Sequence, residues 1–265
     1  MNGTVALAIS APLACVTLSH TGKLNAMSRA MWRQLRIVFE RTQHDEAVRC
    51  VVIAGEAGNF CAGGDISEYA KFRFQEASLR DFHEHDVWGA LQSMLDCDVP
   101  LVAQIEGQCM GAGMEIASCC DIRLAAASTR FGAPIARLGF PMAPREAALV
   151  AREAGLSVAR QMLLEAAVFS ASDMKAARFL NGVLADGQVA TEAQATASRI
   201  MALAPCAARL NKQTLRALLT TSLSNDTADA AEPRAAGTGS SYRYADSPEH
   251  REGILAFLEK RKPVF

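Results

Sequence analysis

The chain has almost no net charge, with 27 Lys and Arg against 28 Asp and Glu in 265 residues. The basic excess that tracks nucleic-acid phosphates is missing, and so is the acidic excess that keeps a chain unfolded. No two cysteines stand in C-x-x-C spacing although there are eight of them, so no zinc site and no other metal ligand set is expected. Scattered thiols among apolar neighbours predict a reducing compartment. No apolar stretch is long enough to span a bilayer. Met1-Asn2-Gly3-Thr4 opens no charged segment followed by a long apolar run, so no signal peptide is expected and the expected location is cytoplasmic. No segment repeats at a fixed residue period. What remains is a chain that is 50% hydrophobic, enough to bury a large core.

That hydrophobicity is patterned. Residues 5–9 and 14–18 read as two strands joined by a hairpin at Ala11-Pro12. Ser28 is placed to cap a helix running to about Gln43, with Met31, Leu35, Val38 and Phe39 on its buried stripe. Residues 50–54, 100–105 and 122–126 are continuous apolar runs, as expected of strands covered on both faces. Residues 66–97 read as helical. After about Pro141, residues 148–153, 157–166, 172–180, 191–203 and 247–260 also read as helices. Asn181-Gly182 is a plausible helix end, and Thr191 with Gln194 fits a capping box. Residues 222–246, rich in Ser, Thr, Ala, Gly and Asp, read as a mobile loop or a poorly ordered helix. Strand, turn and helix alternate, which argues for an α/β protein with parallel strands.

Two glycine-rich turns carry the chemistry. Phe60-Cys61-Ala62-Gly63-Gly64-Asp65-Ile66 follows the first of these apolar runs, and Gly107-Gln108-Cys109-Met110-Gly111-Ala112-Gly113-Met114-Glu115 follows the second. Each turn can present a free backbone N–H, and two such donors aimed at one carbonyl oxygen stabilise negative charge developing there. Glu115 lies within the first turn of the helix that follows. An oxyanion hole beside one carboxylate is a device for making and quenching an enolate. The plainer alternatives are ordinary tight turns and a solvated helix glutamate. Cys61 and Cys109, beside the donors, read as small packing residues.

Further landmarks follow in order: Lys23-Leu24-Asn25-Ala26-Met27, Cys120-Asp121-Ile122, Phe131-Gly132-Ala133-Pro134, Leu138-Gly139-Phe140-Pro141, and residues 256–263 ending Lys260-Arg261-Lys262-Pro263. With the two glycine turns, this series resembles the crotonase (enoyl-CoA hydratase/isomerase) superfamily over nearly the whole chain. The resemblance implies a spiral core of β-β-α units over residues 1–195. Residues 196–265 would form a helical region that trimerises and contacts coenzyme A. It implies an acyl-CoA substrate, no separate cofactor, and a homotrimer or dimer of trimers. It further implies that Gly64 and Ala112 supply the oxyanion amides, with Glu115 as acid/base. Ala62, Asp65 and Ile66 would lie along the pantetheine and adenine. Lys23, and Phe257 with Lys260, would approach a CoA phosphate, the latter two across a subunit boundary.

Two positions depart from the family pattern. Ala112 stands where glycine is usual, but alanine still carries an N–H. Ile135 stands where hydratases carry their second glutamate, and isoleucine can neither accept nor donate a proton. Water addition through Glu115 alone, a one-carboxylate double-bond shift, and acyl-CoA binding without catalysis all remain open on this reading. Glu68, Tyr69, His83 and His85 are candidates for a replacement group. The two histidines are two residues apart, so at most one points inward. Glu106 reads as a charged turn residue, Asp121 as a structural ion pair, and Glu146 as a helix-dipole partner.

Overall fold

A computed structural model describes residues 3–221 and 243–265. Its strands are β1 (Thr4–Ser10), β2 (Leu13–Ser19), β3 (Cys50–Gly55), β4 (Leu101–Ile105), β5 (Gln108–Met110), β6 (Ile122–Ala126), β7 (Arg130–Gly132), β8 (Val168–Ser170) and β9 (Gly182–Leu184). Among the described residues they form a six-stranded sheet in the order β1-β2-β3-β4-β6-β9 and a three-stranded sheet in the order β5-β7-β8. The hairpin β1-β2 is antiparallel, and every later neighbour in the large sheet is parallel. The expected apolar runs therefore lie side by side at the sheet centre, with Val51 opposite Leu101 and Val102 opposite Ile122.

Strand alternation divides their side chains between two layers. Val51, Ile53, Leu101, Ala103 and Ile105 join one core with Trp32, Leu35, Phe39 and Met94. These last come from α1 (Arg29–Gln43) and α3 (Trp88–Asp96). Cys50, Val52, Val102, Leu124 and Ala126 face the other way, onto Val189, Ala193 and Ala197 of α8 (Val189–Met201). Ser28 caps α1, its side chain accepting from the Met31 amide at 3.2 Å, as its position predicts.

Several expected elements differ. Residues 66–97 are not one helix. A 3-10 turn (Ile66–Lys71) is followed by an irregular step at residues 72–75, α2 (Glu76–Asp81), a π-helical turn (Phe82–Val87) and α3. Long-range contacts override the helical pattern here. Buried Asp86 accepts from Arg29 Nε at 2.6 Å and Arg33 Nε at 2.7 Å, and Arg29 lies over the rings of Phe72 and Phe82. The helix expected over residues 172–180 stops early, as α7 (Ala171–Ala176), capped reciprocally by Ser170 and Asp173. The chain turns away because Phe179 is fully buried against Phe131, ring centroids 6.1 Å apart. Asn181 is no helix cap; its Oδ1 accepts from the Arg123 amide at the head of β6. Thr191 and Gln194 form no capping box, because α8 already begins at Val189, whose buried side chain sets the start of the sheet-facing stripe.

The remaining helices are α4 (Ala112–Ser118), α5 (Pro144–Ala154), α6 (Leu156–Leu164), α9 (Pro205–Thr221) and α10 (Pro248–Leu258). The expected 195/196 division falls within α8, which packs on β3, β4 and β6. Lys212 of α9 pairs with Asp121 at 2.8 Å and Arg216 with Asp98 at 2.8 Å, so Asp121 is a structural ion-pair partner as read. Of the segment 222–246, residues 222–242 lie outside the described residues; Arg243–Asp246 form a 3-10 turn. No helix among the described residues is long and apolar enough to cross a membrane.

Candidate active site

Parallel pairing of β3 with β4 brings the two glycine turns together at one end of the sheet. They are stitched by backbone bonds, Cys61 N–H to Gln108 O at 2.8 Å and Met110 N–H to Cys61 O at 2.9 Å. Two glycines make this approach possible. A Cβ on Gly113 would lie 2.5 Å from the Cys61 carbonyl oxygen, and Gly111 has φ 47°, a conformation side chains disfavour. Cys61 and Cys109 are fully buried at the seam, and burial pushes both thiols up, Cys61 to about 12. They are packing residues, as their setting suggests.

Among the amides that the turns leave unused are those of Gly64 and Ala112. Gly64 bridges Met27, but the bonds run from Met27 N–H to Gly63 O and from Asp65 N–H to Met27 O. Ala112 opens α4, where a helix has no internal acceptor for its first amides. Neither N–H has an acceptor among the described residues. Gly64, Ala112 and Glu115 all line one cavity of about 330 Å³, together with Ala62, Ile66 and Ile135. Its walls are largely apolar, with Trp32, Val87, Met110, Leu138 and Met142 among them.

Glu115 is buried, and burial, then the nearby Glu146 charge, pushes its carboxyl up to about 8. A carboxyl with that affinity exchanges protons near neutral pH. Tyr69 stands over the first turn. A Cβ built on Gly64 would lie 1.9 Å from its hydroxyl oxygen, and burial pushes the phenol up to about 12.

Of the two histidines, His83 lines the cavity and His85 is exposed. The π-helical turn is responsible, since it places Phe82, His83 and Val87 together on the cavity wall; such turns widen a helix by one residue and recur at functional sites. Glu146 is not the exposed dipole partner its place in the first turn of α5 suggests. It is only 2% exposed, and its Oε1 lies 3.1 Å from His83 Nδ1. Sequence separation hides this pair, because the two residues are 63 apart. Glu68 accepts from the Arg29 amide at 2.9 Å, adding a second cap to α1.

The other predicted ligand-contacting residues lie elsewhere. Lys23 Nζ donates to Asp65 Oδ2 at 2.6 Å and to Ser67 Oγ at 2.7 Å. Burial opposes ionisation of Asp65, but the hydrogen bonds from Lys23 and Ser67 hold its carboxyl below the usual range. Phe257, 82% exposed, lies on α10, and Lys260 just beyond its end; neither lines the cavity. No group of three or more His, Cys, Asp or Glu among the described residues is arranged to hold a metal ion.

A residue not anticipated is Arg73. Its guanidinium lies 3.8 Å from the Phe140 ring centroid and 4.4 Å from that of Tyr69, and it lines the same cavity. Tyr69 is only four residues away, but Phe140 is distant in sequence, so the pairing of both rings on Arg73 is not announced locally.

The family model described as enoyl-CoA hydratase/isomerase matches residues 8–265. A 2,3-dehydroadipyl-CoA hydratase of Escherichia coli (strain K12) is 31% identical over 250 residues, covering 94% of this chain and 93% of the relative. A short-chain-enoyl-CoA hydratase of Clostridium acetobutylicum is 28% identical over 251 residues, covering 94% and 92%. The crystal structure of an enoyl-CoA hydratase/carnithine racemase from Magnetospirillum magneticum superposes with a TM-score of 0.89 at 34% identity, covering 100% of this chain and 96% of the other. The chain belongs to the enoyl-CoA hydratase/isomerase family of enzymes.

Proposed function

We propose that the protein adds water across the double bond of a 2-enoyl-CoA. The observation that carries this reading is the convergence of two unpartnered amides, Gly64 and Ala112, and a buried proton-exchanging carboxyl, Glu115, on one cavity. The thioester oxygen sits between the amides, and charge gathers on it as water attacks Cβ. The Glu115 carboxylate takes the water proton. The enolate then collects a proton at Cα. The acyl-CoA lies along Ala62 and Ile66, and coenzyme A enters as part of the substrate.

Ile135 contributes no proton, so the second transfer needs another group. His83 is suited to it, because Glu146 holds Nδ1 and the ring borders the cavity. Imidazole can give or take a proton, and the buried Glu146 side chain behind it fixes the orientation of the ring. His83→Asn is expected to lower hydration roughly 10²-fold. It should also slow α-proton exchange of butyryl-CoA in D2O, because the group that protonates Cα is the one that removes that proton in reverse. Exchange at the wild-type rate in the variant would remove His83 from the protonation step.

Ile135 also favours a second reading, a double-bond isomerase in which Glu115 removes one proton and returns it two carbons away. Incubation with 2-enoyl-CoA and 3-enoyl-CoA separates the two. Falling conjugated-thioester absorbance marks hydration, rising absorbance marks isomerisation, and no change with either, despite binding, leaves a non-catalytic acyl-CoA carrier.

Phe257 and Lys260 do not line the cavity, and we infer that they meet coenzyme A bound by a neighbouring copy, in a homotrimer or a dimer of trimers. The exposed Ile254, Phe257 and Leu258 of α10 support this, because such apolar groups favour burial between chains. Light scattering should return three or six times the chain mass; a monomer at micromolar concentration would sink the inference.

A further inference from the structure

We propose that the acyl group of the substrate carries a carboxylate, and that Arg73 is the residue that binds it. The inference rests on the acyl-CoA reading above and narrows its substrate class.

Arg73 follows the 3-10 turn, with its amide donating to the Tyr69 carbonyl at 2.9 Å. Its side chain folds back onto two aromatic faces, Phe140 and Tyr69. The Tyr69 hydroxyl in turn lies against Gly64. The cation is therefore held inside the reaction cavity, at the end of a chain of contacts that starts at the first glycine turn.

Among the described residues Arg73 pairs with no carboxylate, whereas the neighbouring Arg29, Arg33 and Arg80 all do. The cation is half-buried, and ring faces compensate only part of the lost hydration. A neutral acyl chain filling the cavity would strip away the remaining water and offer nothing in return. A carboxylate would meet the free edge of the guanidinium, whose planar fork matches two carboxylate oxygens. Arg137 lines the same cavity and pairs with no carboxylate among the described residues; it donates to the Ala166 carbonyl at 3.3 Å. Among the described residues, Glu115 is the one carboxylate that lines this cavity.

The same guanidinium could instead hold a CoA phosphate, and the test separates the two sources. Saturated probes that cannot be hydrated are titrated by calorimetry: free CoA, butyryl-CoA, hexanoyl-CoA, succinyl-CoA and adipyl-CoA. The expected result is that at least one dicarboxylic thioester binds about tenfold tighter than its neutral counterpart of equal length, the scale of one charged hydrogen-bonded pair. Arg73→Met should abolish that preference while leaving free CoA and the neutral thioesters unchanged. Arg73→Lys, which keeps the charge but not the fork, should retain part of it. Equal binding of neutral and dicarboxylic probes by the wild type overturns the proposal. So does a Met variant that weakens free CoA and every thioester alike, which marks a phosphate contact. If free CoA and all four thioesters fail to bind, the acyl-CoA reading itself falls, and this inference with it.

Discussion

Glu115→Gln is expected to lower turnover of a 2-enoyl-CoA by roughly 10³–10⁴-fold while changing its binding little. Glutamine keeps the shape of the side chain and removes the exchangeable proton. The pH dependence carries the same information. Burial, then the Glu146 charge, raises the Glu115 carboxyl to about 8 from an ordinary value of 4.5. As a base it must be ionised, so kcat/KM should rise about tenfold per pH unit below that value and level off above it. The glutamine variant should lack this limb. Stability should move in the opposite sense. Between about 4.5 and 8 the folded protein holds a proton on Glu115 that the unfolded chain has released. Stability is therefore lost as pH rises through this window. Relative to wild type, Glu115→Gln should melt at a higher temperature at pH 8.5 than it does at pH 5. A pH-independent difference would show that the folded carboxyl titrates normally, and would remove the basis for its role as a proton carrier.

The second large effect concerns a backbone group. Ala112→Pro removes the amide proposed to reach the thioester oxygen from the second turn. Proline is tolerated in the first position of a helix, where Ala112 sits. Gly111, with φ 47° and ψ −107°, is outside the helical region that proline disfavours in the residue before it. The fold should survive, with an unchanged far-ultraviolet spectrum. Turnover should fall about 10³-fold, the scale of one lost oxyanion donor. Ala112→Gly keeps the N–H and should stay close to wild type. A proline variant within tenfold of wild-type activity would show that this amide does not contact the reacting oxygen.

Much of this site was legible in one dimension because its parts are local. A backbone N–H beside glycine is written into Gly63-Gly64 and Gly111-Ala112-Gly113, and Glu115 lies three residues beyond the second donor. Ile135 was legible for the same reason, since it follows Phe131-Gly132-Ala133-Pro134 directly. The His83–Glu146 pair was not. Each residue viewed alone has a plain surface role, and only the packing of α5 against the π-helical turn turns both inward. Arg73 was less visible still, because beside the nearby Tyr69 its setting depends on the face of a ring 67 residues away and on the shape of a cavity.

The chain order of apolar strand, glycine turn and helix determined where the amides and Glu115 would emerge, because period-two burial and glycine backbone freedom act between neighbours. Whether those groups face one another was decided by the parallel registration of β3 and β4, a long-range pairing no single segment specifies. The environment of each charge was likewise a tertiary matter. Burial beside Glu146 raises Glu115, and two aromatic faces flank Arg73, which pairs with no carboxylate among the described residues. Desolvation depends on everything that surrounds a group, and a linear sequence does not record those surroundings.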